Sequence, residues 1–314
     1  MKVAILDDYA DSVRTLQAFS RLDGHDVIVL NETLAPDALA ERIRDREALV
    51  LIRERTRITD ALLAKLPALR LLVQTARSGP HIDLAACAAR GVAVADGSGA
   101  PDSTVELTIG LMIAAARNIA WENARLLEGR WQTRLGRGLV GRRLGIYGYG
   151  KIGRRVAQVA SALGMQVVAF GREASITAAR ADGLQVVPDA PALFAGCDVV
   201  SLHLRLNDQT RGVVTAAHLG AMKPDAMLVN TARAELIAPG ALLAALDAGR
   251  PGLAALDVFE HEPTPDMRIV RHPRVLATPH LGYVEAGNYE RYFGEAFDSL
   301  NAFARGQPTR LVTA

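Results

Sequence analysis

Residues 145–153 read GIYGYGKIG, and Gly148, Gly150 and Gly153 in that run fit G-x-G-x-x-G. A short apolar strand at 144–147 leads in, and a helical stretch at 154–164 leads out. That setting suits a dinucleotide. Gly148 permits the tight turn, Gly150 leaves bare backbone for a pyrophosphate, and Gly153 lets the helix pack on the strand. The phosphates would rest on the free N–H groups of the helix N-terminus, where the dipole is positive. Three motifs follow, each just after a predicted strand: NTAR at 230–233, DVFEHEP at 257–263 and TPHLG at 278–282. In an open α/β sheet ligands bind beyond the carboxyl ends of the strands, so Arg233, Glu262 and His280 are expected to project into one cleft.

The elements that must hold these residues follow from the hydropathy pattern. Short apolar runs at 3–6, 26–30, 48–52, 70–73 and 92–95 alternate with helical spacing at 13–19, 36–44, 60–65 and 84–89. This alternation predicts a parallel sheet covered on both faces. Residues 103–117 predict a long apolar helix, with Ser103 and Glu106 at capping-box spacing. Strands at 144–147, 166–170, 186–188, 199–202, 227–230, 254–258 and 275–277 then predict a doubly wound sheet of Rossmann type. A helix at 285–305 is expected to return to the first region. The chain therefore reads as α/β with two domains: a discontinuous one, residues 1–98 with 284–314, and a dinucleotide-binding one, residues 99–283.

Composition bounds the partners. A chain of 314 residues that is 50% hydrophobic fits two domains with a sizeable core. Its net charge of +2 is too small to make nucleic acid the expected partner. The basic residues are nearly all arginine, with Lys2, Lys65, Lys151 and Lys223 the only lysines, which reads as codon bias rather than a binding surface. Cys87 and Cys197 stand far apart, so no disulfide framework and no metal site is expected, and Cys197 reads as a buried small residue. The start, MKVAILDDYA, reads as a strand and not a signal peptide, and no segment has the apolar length of a membrane span; a cytoplasmic enzyme with no membrane partner is the expectation. His203 follows a strand and reads as a packed histidine, while His218, His261 and His272 read as surface residues.

Taken in order, the GYGKIG loop, VSLHL at 200–204, TRG at 210–212, NTAR, DVFEHEP and TPHLG resemble the D-isomer-specific 2-hydroxyacid dehydrogenase family, in its glyoxylate/hydroxypyruvate reductase-like form, over nearly the whole chain. The resemblance implies a Rossmann domain plus a flavodoxin-like substrate domain. It also implies hydride transfer between a nicotinamide cofactor and a small 2-oxo or 2-hydroxy acid, with D stereospecificity. The family's catalytic trio falls on Arg233, Glu262 and His280, and the residue types suit that chemistry. Arg233 can hold a carboxylate and a carbonyl with its planar fork of donors. His280 would give a proton to the carbonyl oxygen as hydride arrives at the adjacent carbon, and take one in reverse. Glu262 would accept from the far ring nitrogen, fixing the tautomer. Asp257 would lie near the nicotinamide and favour its oxidised, positive ring. Cofactor contacts are expected from Gly148, Gly150, Lys151, Ile152, Gly153, Arg172, Thr231, Ala232, Asp257 and Gly282. Substrate contacts are expected from Arg53, Arg77, Ser78, Gly79, Arg233 and His280.

Cofactor choice turns on the strand at 166–170. Where the family usually has an acidic residue for the ribose 2′-hydroxyl, this chain has Gly171 followed by Arg172. The missing carboxylate removes a repulsion and the guanidinium can pair a 2′-phosphate, so NADP is expected over NAD, with NAD still possible. Glu173 is expected to turn away. Arg205 replaces a common proline and reads first as a surface arginine, second as added charge near the adenosine. The loop at 74–83, QTARSGPHID, departs from the family: Ala76 and Arg77 stand near where small residues are expected, and Pro80 lacks a donor. Arg53, Arg55 and Arg77 either bind a second anionic group of the substrate or are surface charges. Two other functions stay open: a phosphoglycerate-type NAD-dependent dehydrogenase, and a cofactor-sensing, corepressor-like binding protein. Glu262 disfavours formate dehydrogenase, whose relatives carry Gln there. The resemblance further implies a homodimer formed through residues 113–127 and 131–139.

Overall fold

Unbroken runs of Val, Ile, Leu and Ala have no polar face to show to water, so they are stable only with cover on both sides. In the computed structural model of the protein they form parallel strands of that kind, and Ala48–Leu51, Leu71–Gln74, Val199–Leu202 and Met227–Asn230 are buried at every residue. The structure describes residues 1–312. The chain divides into two compact units, one formed by Met1–Ala100 with the chain from Glu285 onward, the other by Pro101–Val284. Of the segment predicted at 284–314, residues 313 and 314 lie outside the described residues.

The first unit holds β1 (Lys2–Ile5), β2 (Asp26–Val29), β3 (Ala48–Leu51), β4 (Leu71–Gln74) and β5 (Ala93–Asp96), with α1 (Pro36–Ile43), α2 (Asp60–Leu63) and α3 (Leu84–Ala89) between them. The strand order is β2-β1-β3-β4-β5, all parallel, which is the flavodoxin-like order. The helix predicted at 13–19 is instead two 3-10 turns, Val13–Thr15 and Gln17–Leu22, because Leu16 between them is extended (φ −72°, ψ 143°). The C-terminal helix, Ala286–Ala304, completes this unit. It buries Tyr289, Tyr292, Phe293 and Phe297, and Phe297 meets Phe19 edge-on at 6.4 Å. Glu290 accepts from the backbone N–H groups of Gln17 (2.6 Å) and Ala18 (3.0 Å), which ties the helix to the second 3-10 turn.

The second unit runs α4 (Asp102–Ala116), α5 (Ile119–Leu127), β6 (Arg143–Tyr147), α6 (Lys151–Ala162), β7 (Gln166–Phe170), α7 (Glu173–Ala181), β8 (Gln185–Val186), α8 (Ala190–Gly196), β9 (Val199–Leu202), α9 (Ala216–Ala221), β10 (Met227–Asn230), α10 (Ala241–Asp247), β11 (Leu253–Leu256), α11 (Met267–Val270) and β12 (Val275–Ala277). Its seven-stranded sheet has the order β12-β11-β10-β9-β6-β7-β8. The chain reverses direction across the sheet between β6 and β9, and that switch point opens the ligand crevice of such folds. One face packs on Val105, Met112, Val156 and Ala160, the other on Leu193, Phe194, Leu219 and Met222.

Two local expectations are corrected. The helix predicted at 103–117 starts at Asp102 with Pro101 as its N-cap, so Ser103 is already inside it. The Ser103–Glu106 capping box therefore does not form, and the Ser103 Oγ is buried without a partner among the described residues. A capping box exists elsewhere, at α9, where Thr215 Oγ1 accepts from His218 N and His218 Nδ1 accepts from Thr215 N. His218, expected at the surface, is half-buried, and its ring stacks on Phe194 at 5.1 Å. The signal was there as T-x-x-H, a capping-box spacing with histidine in place of Glu or Gln.

Candidate active site

The three glycines of the loop after β6 meet very different surroundings. Gly148 has φ +99°, and a Cβ there would stand 2.9 Å from the carbonyl carbon and oxygen of His203. A Cβ on Gly153 would stand 2.3 Å from the Gly148 carbonyl oxygen. The protein's own packing thus demands the first and third glycines. Gly150 is exposed, and no heavy atom lies within 4 Å of where its Cβ would be. Nothing in the protein requires a glycine there, and the empty space lies at the start of α6. That is room for a pyrophosphate against bare N–H groups, so the residues present fit a dinucleotide. Lys151 is exposed and Ile152 half-buried beside it.

The ends of β10, β11 and β12, adjacent in the sheet, carry the other candidates. After β10 the Asn230 side chain builds the turn. Its Oδ1 accepts from Ala232 N (3.0 Å) and its Nδ2 donates to the Arg233 carbonyl (2.9 Å). Arg233 is half-buried and its guanidinium donates to the Ala232 carbonyl at 2.6 Å. The hydroxyl of Thr231 pairs with Thr108 of α4 at 2.7 Å, a structural use of a residue expected at the cofactor.

After β11, Asp257 is fully buried and engages both carboxylate oxygens. Oδ1 accepts from Thr278 Oγ1 (2.6 Å) and Leu281 N (2.7 Å), and Oδ2 accepts from Gly282 N (2.8 Å). Burial pushes its carboxyl above the usual range, against the pull of these donors. Gly282 is further fixed by Thr104, whose hydroxyl donates to its carbonyl at 2.8 Å. Asp257 therefore clamps the loop after β12, within which His280 stands in the left-handed region at φ +54°. The side chain of His280 closes the arrangement: its Nδ1 lies 2.5 Å from Glu262 Oε2, and its ring meets buried Tyr283 edge-on at 5.3 Å. The other Glu262 oxygen accepts from Phe259 N at 2.9 Å, so the carboxylate is aimed from its own loop. An acceptor on Nδ1 leaves Nε2 of the same ring to exchange a proton with a substrate.

At the switch point, the His203 backbone N–H donates to Tyr147, and its Nε2 lies 2.9 Å from Ser201 Oγ. Burial holds this imidazole down at about 4. The unfolded chain protonates it near 6.5. Between those values the unfolded state binds more protons, so stability falls as pH drops through the window, by up to about 3 kcal/mol. In urea denaturation, His203→Asn is expected to flatten that pH dependence; a slope unchanged from the parent would assign it to another group.

On the far side of β6, Gly171 follows β7, and a Cβ there would stand 3.0 Å from Ser175 Cβ and 3.6 Å from Gly148 Cα. Arg172 is the exposed N-cap residue of α7, and Glu173 lies exposed in the first turn. The candidates of the first unit gather at the ends of β3, β4 and β5. Arg53 is left-handed (φ +55°), and its backbone is held by Thr75 and Gln74. Buried Asp96 holds the next loop, accepting from Ser78 N (3.1 Å), from Ser78 Oγ (3.3 Å) and from the largely exposed Arg77 (3.4 Å). A Cβ on Gly79 would stand 3.3 Å from Glu54 Oε1. Arg55 serves the fold instead of the surface, donating to the Asp7 carbonyl at 2.6 Å and lying over the Tyr9 ring at 4.4 Å. Sequence reasoning missed Asn230, Asp96 and the clamp role of Asp257. Asp96 and Asp257 reach partners in other loops, and only Asn230, whose partners lie inside its own motif, left a local trace.

Comparison with known proteins agrees with this architecture. Residues 109–282 match the family model of the D-isomer specific 2-hydroxyacid dehydrogenase, NAD binding domain. The chain is 33% identical to a D-3-phosphoglycerate dehydrogenase of Methanocaldococcus jannaschii across 90% of its own length, but it spans only 53% of that relative. It is 32% identical to a glyoxylate reductase of Thermococcus litoralis, across 87% of this chain and 86% of that one. The crystal structure of a phosphoglycerate oxidoreductase from Vibrio cholerae superposes with a TM-score of 0.96 at 48% identity, across 98% of this chain and 99% of the other. With the glycine loop at the switch point, and Glu262 and His280 three and four strands along, the chain belongs to the D-isomer specific 2-hydroxyacid dehydrogenase family.

Proposed function

We propose that the protein moves a hydride between NADP(H) and a small 2-oxo or 2-hydroxy acid, with D stereospecificity. The observation that carries this is the 2.5 Å pair of His280 and Glu262 in the same sheet as a glycine loop with open space at Gly150. The nicotinamide, when bound, supplies or accepts the hydride. The chain's own part is to hold the substrate carboxylate through Arg233, to pass a proton at His280 Nε2, and to keep Nδ1 occupied through Glu262. Arg53, Arg77, Ser78 and Gly79 are assigned to the substrate's remaining groups. Glyoxylate and hydroxypyruvate are suited by size. A phosphorylated 2-hydroxy acid is the second reading, favoured by Arg77, whose side chain is 81% exposed with only a 3.4 Å approach to Asp96.

The preference for NADP rests on Gly171 and Arg172, with no carboxylate aligned at the end of β7. Steady-state assays that follow reduced nicotinamide, run with a panel of plain and phosphorylated 2-oxo acids, test both points. The expected result is a lower KM for NADPH than for NADH, and Arg172→Ala weakening NADPH about tenfold while sparing NADH. A lower KM for NADH would refute the cofactor assignment. Tight cofactor binding with no turnover on any acid would favour the sensor reading over the enzyme.

We also propose a homodimer formed through α5 and the arm that follows it. No residue of α5 is buried, and Leu127 and Leu135 are 83% and 96% exposed, beside exposed Ile119, Leu126, Trp131 and Val140. The arm is not loose. The guanidinium groups of Arg125 and Arg134 each lie over the Trp121 ring, whose N–H donates to Thr133 Oγ1, while Glu122 accepts from Thr133 N. An ordered apolar patch of this kind marks an association surface. Light scattering is expected to give twice the chain mass, and Leu127→Glu with Leu135→Glu to give monomers; a monomeric parent at micromolar concentration would end the proposal. Among the described residues, no helix is long and apolar enough to cross a membrane, and no cluster of side chains has a metal-binding arrangement.

A further inference from the structure

Arg205 stands in the loop after β9, exposed, and forms no ion pair or side-chain hydrogen bond among the described residues. Arg172, after β7, is in the same condition. Between β9 and β7 lies β6, so the two chain ends are two strand spacings apart, about 10 Å. Both flank the same glycine. A Cβ on Gly148 would meet the His203 carbonyl at 2.9 Å and Leu204 Cδ2 at 3.0 Å on one side, and Gly171 packs on Gly148 Cα from the other. Arg205 directly follows Leu204, and Arg172 directly follows Gly171.

The Arg205 loop is also built, not slack. Thr210 Oγ1 donates to the Arg205 carbonyl at 2.7 Å, and Asn207 Oδ1 accepts from the N–H groups of Gln209 and Thr210, each at 3.0 Å. This gives the Thr-Arg-Gly segment at 210–212 a role, since its threonine fixes the backbone from which Arg205 projects. The carboxylates nearest in sequence, Glu173 and Asp208, are exposed and pair with neither arginine. Two exposed guanidinium groups on either side of a cofactor loop, with no carboxylate paired to either among the described residues, make a positive setting that suits a dianion.

We infer that Arg205 and Arg172 form a two-armed clamp for the adenosine 2′-phosphate, with Arg205 a cofactor-specificity residue in its own right. A phosphate monoester carries nearly two negative charges and offers three acceptor oxygens, enough for two guanidinium forks at once. The inference rests on the NADP preference proposed above, and its test separates the two.

Calorimetry with 2′,5′-ADP and 5′-AMP needs no turnover and reads the phosphate directly. The parent protein is expected to prefer 2′,5′-ADP. Arg205→Ala is expected to cut that preference about tenfold and to leave 5′-AMP within about twofold, as the loss of one charged hydrogen-bonding arm. Arg205→Lys should restore part of the preference. If the parent binds the two nucleotides alike, the NADP reading and the clamp fail together. If the parent prefers 2′,5′-ADP and Arg172→Ala abolishes the preference while Arg205→Ala does not change it, the clamp fails alone. Equal weakening of both nucleotides by Arg205→Ala also overturns the clamp, because it would place the guanidinium on the base.

Discussion

His280→Ala is expected to lower kcat about 10³-fold, within the range for losing a positioned general acid–base group, while NADPH affinity stays within about twofold. The asymmetry follows from the geometry. The imidazole is held by Glu262 at Nδ1 and by the edge of Tyr283, and neither contact belongs to the glycine loop, which follows β6, four strands from β12 in the sheet. On the proposed roles, removing the ring takes away the proton donor and leaves the glycine loop intact. Glu262→Gln is expected to give a smaller loss of kcat, because an amide can still accept from Nδ1 but can also turn its NH₂ toward it and favour the wrong tautomer. Activity of His280→Ala close to the parent's would remove His280 from the chemistry altogether.

The second large effect separates a glycine kept for the fold from one kept for a ligand. Gly153→Ala puts a methyl group 2.3 Å from a backbone oxygen that cannot move without disturbing the turn. Overpacking of this kind costs about 1–3 kcal/mol, so a lower Tm and lost cofactor binding are expected together. Gly150→Ala meets nothing in the protein, and its backbone (φ −95°, ψ −160°) is open to any residue. Its stability is expected to stay within about 0.5 kcal/mol of the parent. Its NADPH affinity is expected to fall tenfold or more, about the effect of filling the space where backbone and pyrophosphate meet. Unchanged affinity in Gly150→Ala would show that no dinucleotide crosses that surface.

Much of this is legible in the sequence alone. Strand-length apolar runs flanked by helical spacing define where each strand ends, and the residues just past those ends are the candidates in any open parallel sheet. That is why the loop after β6 and the motifs after β10, β11 and β12 could be read directly. What escaped was set by partners distant in sequence. Asp257 reads as one more acid at a strand end, yet its carboxylate is spent on backbone N–H groups more than twenty residues on. Thr231 reads as a cofactor contact, and the bond of its hydroxyl to Thr108, 123 residues away, leaves no local sign. The first turn of α4 differs from expectation because Ser103 and Glu106 carry the right spacing two positions too far into the helix. Pattern rules see residues three or four apart and miss a cap displaced by two positions.

The division of the chain bears on its birth at the ribosome. The second unit is one uninterrupted segment, whereas the first is begun by residues 1–100 and finished only by the helix Ala286–Ala304. All of the second unit is synthesised while Phe19 still lacks Phe297, and the Gln17 and Ala18 N–H groups still lack Glu290. The amino-terminal portion thus emerges first and matures last, carrying an uncovered apolar surface through nearly two hundred residues of elongation. During that interval it is the part of the nascent polypeptide with most need of a chaperone.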